Sequence, residues 1–178
     1  MKAGDSTGTL TMYFLSRIAC VMAVVASSLL TLIGCDQQRI NELEEGLSTE
    51  ADVRAKFGEP ETIWPEADGA RTFEYPRQPM GHKNYMLTID RDGKLSALRQ
   101  VLTPHVFEQV RAGMTQEQVR RLLGRPAKRM TFDLKQETDW DWRWMDPPNR
   151  EMVFTVTFGA DGLVKHSASR EKMPQGNQ

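Results

Sequence analysis

The sequence predicts an α+β fold in which one unit is used twice: two short helices followed by about three antiparallel strands, with the helices on one face of each sheet. A repeat of three blocks in the same order predicts it. INELEEGLSTEADVRAKFGEP at residues 40–60 answers VFEQVRAGMTQEQVRRLLGRP at 106–126, and LTIDRDGKL at 87–95 answers VTFGADGLV at 156–164. Between these blocks, Phe73-Glu74-Tyr75 answers Trp142-Arg143-Trp144, and the offset drifts only from 66 to 69 residues. Self-similarity at a fixed period marks a supersecondary unit used again.

Taken along the chain, the first element is a leader. Arg17 precedes IACVMAVVASSLLTLIG at 18–34, an uncharged run that ends at Cys35. Its length reaches the lower limit for a membrane span, so length alone does not separate a span from a signal peptide. Small residues near its end favour processing. Leu32-Ile33-Gly34-Cys35 resembles the lipobox of bacterial lipoproteins, with an aliphatic residue three places before the cut and Cys after it. The resemblance implies cleavage after Gly34 and acyl chains on the Cys35 thiol and on its new amino group. Several chains anchor firmly where one binds marginally. The alternative is an uncleaved anchor, and both readings put residues 36–178 outside the cytoplasm. Residues 1–11 are polar, which makes Met12 an alternative start.

Composition removes several function classes. The chain has two cysteines, and Cys20 lies inside the leader. No thiol then remains for a disulfide, a metal or a nucleophile. A formal net charge of −1 gives no electrostatic reason to expect nucleic acid.

The resulting boundaries are a signal peptide at 1–34, a lipidated tether at 35–38, a first unit at 39–102, a second unit at 103–169 and a disordered tail at 170–178. In the second unit, Thr103-Pro104 suits an N-cap with Pro at the first helical position. Phe107 and Val110 then share a face, and Gly113 ends that helix. Thr115-Gln116-Glu117-Gln118 is a capping box for a second helix. Val119, Leu122 and Leu123 form its buried stripe, Arg120 and Arg121 face water, and Gly124-Arg125-Pro126 terminates it. In the first unit Thr49 and Asp52 make the cap, and Val53 and Phe57 make the stripe. After each Gly-x-Pro the period becomes two, which reads as strand. Asp92-Gly93 and Asp161-Gly162 mark the hairpin turns.

Candidate functional residues follow from this layout. Trp140, Trp142 and Trp144 are either an aromatic binding face, since Trp is enriched at interaction hot spots, or the filling between sheet and helices, which period two favours. Arg77 and His82, in the segment 76–83, and Arg150, in its counterpart 145–150, are candidate partner contacts because loops on a rigid sheet often carry binding. Asp139 and Asp141 read as a solvated strand face rather than a catalytic pair. His82, His105 and His166 lack metal-ligand spacing, and no nucleophile elbow is present. The sequence therefore names no catalytic residue, no metal and no cofactor.

GMTQEQVRRLLGRP followed by DWDWRW and VTFGADGLV resembles the SmpA/OmlA (BamE) family of outer-membrane lipoproteins, over residues 104–168 and more loosely over 38–101. The resemblance implies a non-catalytic accessory subunit of the β-barrel assembly machinery. It would sit on the periplasmic face of the outer membrane and bind other assembly components and anionic lipid. A typical member has one such unit. Tandem units of this kind also resemble the β-lactamase-inhibitory protein, so an inhibitor-like or ligand-binding lipoprotein outside that machinery is the alternative. Asp36, just after the lipid site, resembles an inner-membrane retention signal and gives the inner membrane as the alternative location.

Overall fold

The computed structural model describes residues 40–172. The leader, the lipobox Leu32-Ile33-Gly34-Cys35, the whole tether at 35–38 and residues 173–178 lie outside the described residues. Of the described residues, 43–172 belong to one compact unit. The described chain runs α1 (Glu50–Phe57), β1 (Thr62–Pro65), β2 (Arg71–Pro76), β3 (Asn84–Ile89), β4 (Leu95–Gln100), α2 (Pro104–Phe107), α3 (Gln116–Leu123), β5 (Lys128–Phe132), β6 (Glu137–Asp146), β7 (Arg150–Phe158) and β8 (Val164–Glu171). The strands make two four-stranded antiparallel sheets, in the orders β1-β2-β3-β4 and β5-β6-β7-β8.

Local chemistry explains both eight-residue helices. Thr49 caps α1 and Thr115 caps α3. Each hydroxyl accepts from the backbone three residues on, and Asp52 or Gln118 reaches back to the cap amide. Both helices end at a glycine with positive φ, 81° at Gly58 and 74° at Gly124. Gly124 could not be replaced freely: a Cβ there would lie 2.9 Å from the Asn84 side chain. Thr103 caps α2 as expected, but α2 stops at Phe107 rather than running on towards Gly113.

Each sheet has four strands where the sequence predicts about three. The additional strands are β1 and β5, both edges. Lys128–Phe132 is exposed at four of its five positions, so hydrophobicity never alternates there. β1 has four residues and ends in Pro65, which an edge tolerates. At the other end, β8 continues through Arg170 and Glu171, paired with Val153 and Met152, two residues into the predicted tail.

The helices and the second sheet share one core. Phe107, Val119 and Leu123 cluster with Trp140, Trp142, Trp144, Phe154, Val156 and Phe158. Phe107 stacks on Phe154 with ring centroids 4.1 Å apart. In the first sheet, Val53 and Phe57 of α1 are buried, and the Phe57 ring meets Tyr75 at 5.2 Å and Tyr85 at 5.7 Å.

The opposite face of the first sheet is buried too. β2 shows no alternation across Phe73, Glu74 and Tyr75, and Met86, which pairs with Glu74, joins the core of the second sheet. Glu74 is 0 % exposed. Its carboxylate accepts from the Trp64 indole at 3.1 Å, the Arg125 amide at 2.7 Å and Arg120 Nη2 at 3.4 Å, with Arg120 Nε 3.3 Å away. Asn84 donates to the carbonyls of Leu123 and Arg125, at 2.7 and 3.0 Å, and the Trp142 indole donates to that of Gly124 at 2.9 Å. The carbonyls of Leu123, Gly124 and Arg125 at the end of α3 are thus each satisfied by a side chain from one sheet or the other. Arg120 and Arg121 do not face water: Arg120 also bonds Glu61 and Thr62, and Arg121 lies 4.8 Å over Trp64 and donates to Pro65. The first sheet covers the helix face that a lone unit would leave to solvent.

Glu74→Ala would remove the buried acceptor of the half-buried Trp64 indole and one of the two carboxylates that pair with Arg120. Removing one partner of a buried ion pair costs on the order of 3–5 kcal/mol. Because Arg120 is a quarter exposed, the expected loss in denaturant unfolding is near the lower end of that range. Glu117→Ala, which breaks an exposed pair with Arg121, should change stability by less than about 0.5 kcal/mol.

Candidate functional site

The three tryptophans are core. Trp140, Trp142 and Trp144 are 4 %, 0 % and 5 % exposed. They project from β6 onto the face where β7 places Val156, Phe154 and Met152 directly opposite. Burial between sheet and helices fits the packing reading of these rings, and Trp144 also lines a groove between α2 and β8. Arg129, on the neighbouring edge strand, covers the Trp140 ring at 4.2 Å.

Asp139 and Asp141 lie on the opposite face of β6 and are engaged. Thr157 and Thr155 donate to them at 2.6 Å each, and Arg170 lies 3.5 Å from Asp141. Asp141 is buried rather than solvated. Each carboxylate is held by its own hydroxyl from β7. Among the described residues, no group of three His, Cys, Asp or Glu side chains could hold a metal ion.

The loop candidates separate. Arg77 lies 5.5 Å over Phe57 and 5.8 Å over Tyr85, so it caps the aromatic core of the first sheet. Gln78, from the same segment, is buried and bridges the sheets: it donates to the Arg143 carbonyl at 2.7 Å and accepts the Arg143 amide at 3.2 Å. The segment is therefore a pinned crosspiece, and its glutamine is the residue that hydrophobic patterning could not reveal. Arg150 pairs with Asp146 and stays exposed at the tip of the β6–β7 hairpin.

His82 joins a charged cluster that the fold assembles from both units. Arg143 Nη2 lies 3.2 Å from His82 Nε2, and Glu151 lies 3.5 Å from the same nitrogen. Lys172 pairs with Glu151 at 2.7 Å. Burial first, and the Arg143 charge second, hold the imidazole below its ordinary pKa, against the opposing pull of Glu151. A neutral His82 can accept from Arg143, whereas a protonated one would meet it as a like charge. This surface is a patch of hydrogen-bonding and ionic groups suited to contact with a polar partner.

Comparison with known proteins bears on the second unit. Residues 100–168 match the family model described as the "Outer membrane protein assembly factor BamE domain". This stretch is similar to that family's domain. The match starts at Gln100, the last residue of β4, and takes in α2, α3, β5–β7 and most of β8, while α1, β1–β3 and the rest of β4 lie outside it. No curated protein matches the chain. Two solved structures are similar to it. One is a DUF4309 family protein (YjgB) from Bacillus subtilis, 23 % identical, with 74 % of this chain and 83 % of that one covered and a TM-score of 0.29. The other is a candidate beta-lactamase inhibitor protein from Streptococcus mutans, 12 % identical, with 69 % and 82 % covered and a TM-score of 0.33. At those scores neither carries an argument for the BamE-like domain or its partner.

The His82 cluster gives a pH dependence with a definite sign. Its folded pKa lies below the unfolded value, so the neutral form is favoured in the fold. The associated stability is present above about pH 6.5 and is lost as the pH falls through the lowered pKa. In an NMR titration His82 should titrate below 6.5, and His82→Gln should flatten the acid-side loss of stability. Titration above 6.5 would contradict the cluster as described.

Proposed function

We propose that this chain is a lipid-anchored, non-catalytic binding module of the cell envelope that serves as an accessory factor in outer-membrane β-barrel protein assembly. The match of residues 100–168 to the assembly-factor domain carries this reading. The Leu32-Ile33-Gly34-Cys35 string supports an anchor at Cys35. In this reading residues 1–34 are removed, 35–38 tether the chain, and the protein stands on the periplasmic face of the outer membrane. Asp36 supplies the alternative of the inner membrane. Contacts with other assembly components, and with anionic lipid, would use the loops and edges rather than the tryptophans.

We read α1 with β1–β4 and α2–α3 with β5–β8 as two copies of one unit, within 39–102 and 103–169. The paired capping boxes, the paired glycine ends and the bridges Thr49↔Lys94 and Thr115↔Leu163 support that reading. The first copy also favours a second function. It covers α3 of the BamE-like domain, so a partner that approaches that helix in a single-unit protein would be excluded here. An inhibitor-like or ligand-binding role outside the assembly machinery fits that feature.

Co-purification from detergent-solubilised membranes tests the first reading. Recovery of a barrel-assembly subunit with the tagged full chain is expected, and recovery of a soluble envelope enzyme or peptide instead would favour the second. The anchor has its own test: Cys35→Ser should move the protein out of the membrane fraction, and a variant that stayed wholly with membranes would contradict lipid attachment there.

A further inference from the structure

The two sheets treat the outer edge of their last strand differently. In both, the turn before the capped helix grips the start of that strand. Leu95 N donates to Ser48 O at 2.8 Å and Gly46 N donates to Leu95 O at 2.7 Å; Val164 N donates to Met114 O at 2.8 Å and Gly113 N donates to Val164 O at 2.9 Å. This equivalence pairs Leu98 with Ser167, Gln100 with Ser169 and Glu45 with Ala112. In an antiparallel ladder, alternate residues turn both backbone groups to the same side. Val101 N bonds Asn84 O and Lys172 N bonds Glu151 O, inside the sheets. Leu98 and Gln100 of β4, and Ser167 and Ser169 of β8, therefore turn their amides and carbonyls outward.

In the first sheet this edge is capped, because the Glu45 carboxylate accepts the Leu98 amide at 2.7 Å. In the second sheet Ala112 has no acceptor to offer, and among the described residues nothing bonds the outward groups of Ser167 and Ser169. Small side chains at the same two positions leave space as well. A groove of about 510 Å³ runs between α2 and β8, lined by Phe107, Trp144, Met152 and Phe154 and by the two serines. Trp144 is 5 % exposed, and its Nε1–H is buried without an acceptor. A buried donor left unpaired is costly. Glu108 and Arg111 stand at the rim with no ion pair among the described residues. An open edge of this kind is normally blocked by charge, proline or a covering segment.

We propose that the groove takes an extended peptide segment of a partner protein as a fifth strand on β8. The segment alternates apolar and polar residues. Its backbone pairs with Ser167 and Ser169. One large apolar side chain lies over Phe107 and Phe154, on the face where Ser169 opposes Phe154, and a carbonyl or side-chain oxygen reaches Trp144 Nε1. Acidic or hydroxyl side chains occupy the other face, beside His166 and the largely exposed Arg170. Main-chain bonds supply affinity in such strand addition and the alternate side chains supply specificity. The inference goes beyond the assembly-factor reading and does not depend on it.

The test uses the full chain in detergent and a blocked nine-residue peptide that alternates Thr or Glu with Val around one central Phe. Amide exchange is followed by NMR. The peptide should slow exchange at Ser167 and Ser169 by at least about tenfold while leaving the already capped Leu98 amide unchanged. A copy of the peptide N-methylated along one edge should not bind. Ala112→Glu, which rebuilds the cap of the first sheet, should weaken binding about tenfold or more without lowering the melting temperature. Ser169→Pro should do the same, since its amide faces away from β7. A peptide that binds the Ala112→Glu protein as tightly, or leaves Ser167 and Ser169 unprotected, overturns the proposal. Protection at Ser169 that rises with protein concentration in the absence of peptide would assign the edge to a second copy, and would overturn it too.

Discussion

The carboxylate of Glu74 has no exposed surface, and it lies where the first sheet meets the end of α3. An ionised group cannot remain in such a place unless its charge and its lone pairs are matched. Arg120, the Arg125 amide and the Trp64 indole match them. Those donors come from β1 and from α3 with the residues after it, so the pairing forms only when the two sheets hold one relative position. Asn84 and Trp142 tighten the same joint by capping the carbonyls of Leu123, Gly124 and Arg125. Without the first sheet, α3 would end with unsatisfied acceptors and an Arg120 lacking its counter-charge.

This joint decides what the rest of the surface can do. With the first sheet over α3 and the tryptophans packed beneath it, the helix face is closed to a partner, and of the aromatic ladder only the edge of Trp144 reaches a groove. What remains accessible is peripheral: the His82–Arg143–Glu151–Lys172 cluster, the hairpin tip at Arg150 and the uncapped edge of β8. The two sheets differ most at that edge. Where the first has Glu45, Leu98 and Gln100, the second has Ala112, Ser167 and Ser169. An uncapped edge and small side chains coincide at one strand, and the proposed strand addition uses both.

The fold class was legible because capping and termination signals are local. Thr49, Thr115, Gly58 and Gly124 act on backbone groups within four residues, so sequence alone places both eight-residue helices. The tryptophan period was legible for the same reason. The edge strands were not: β5 is polar throughout, and pairing with β6 is what makes it a strand. Arg120 and Arg121 look solvent-facing on a helical wheel, because the wheel does not contain the first sheet. Glu74 and Gln78 look like ordinary surface residues for the same cause, since their burial depends on partners about 45 to 65 residues away. Contacts of that range leave no periodic trace. The lipobox-like string ending at Cys35 is the reverse case, an expectation that rests on the sequence alone and lies outside the described residues.

Native-state hydrogen exchange compares the two sheets most directly, with Leu87 of β3 and Val156 of β7 as reporters, both fully buried. A single opening free energy shared by the two amides is expected, because the Glu74 joint makes the sheets one cooperative body. A Leu87 amide that exchanges through a lower-energy opening while Val156 stays protected would show that the first sheet unfolds alone, and would contradict that cooperativity.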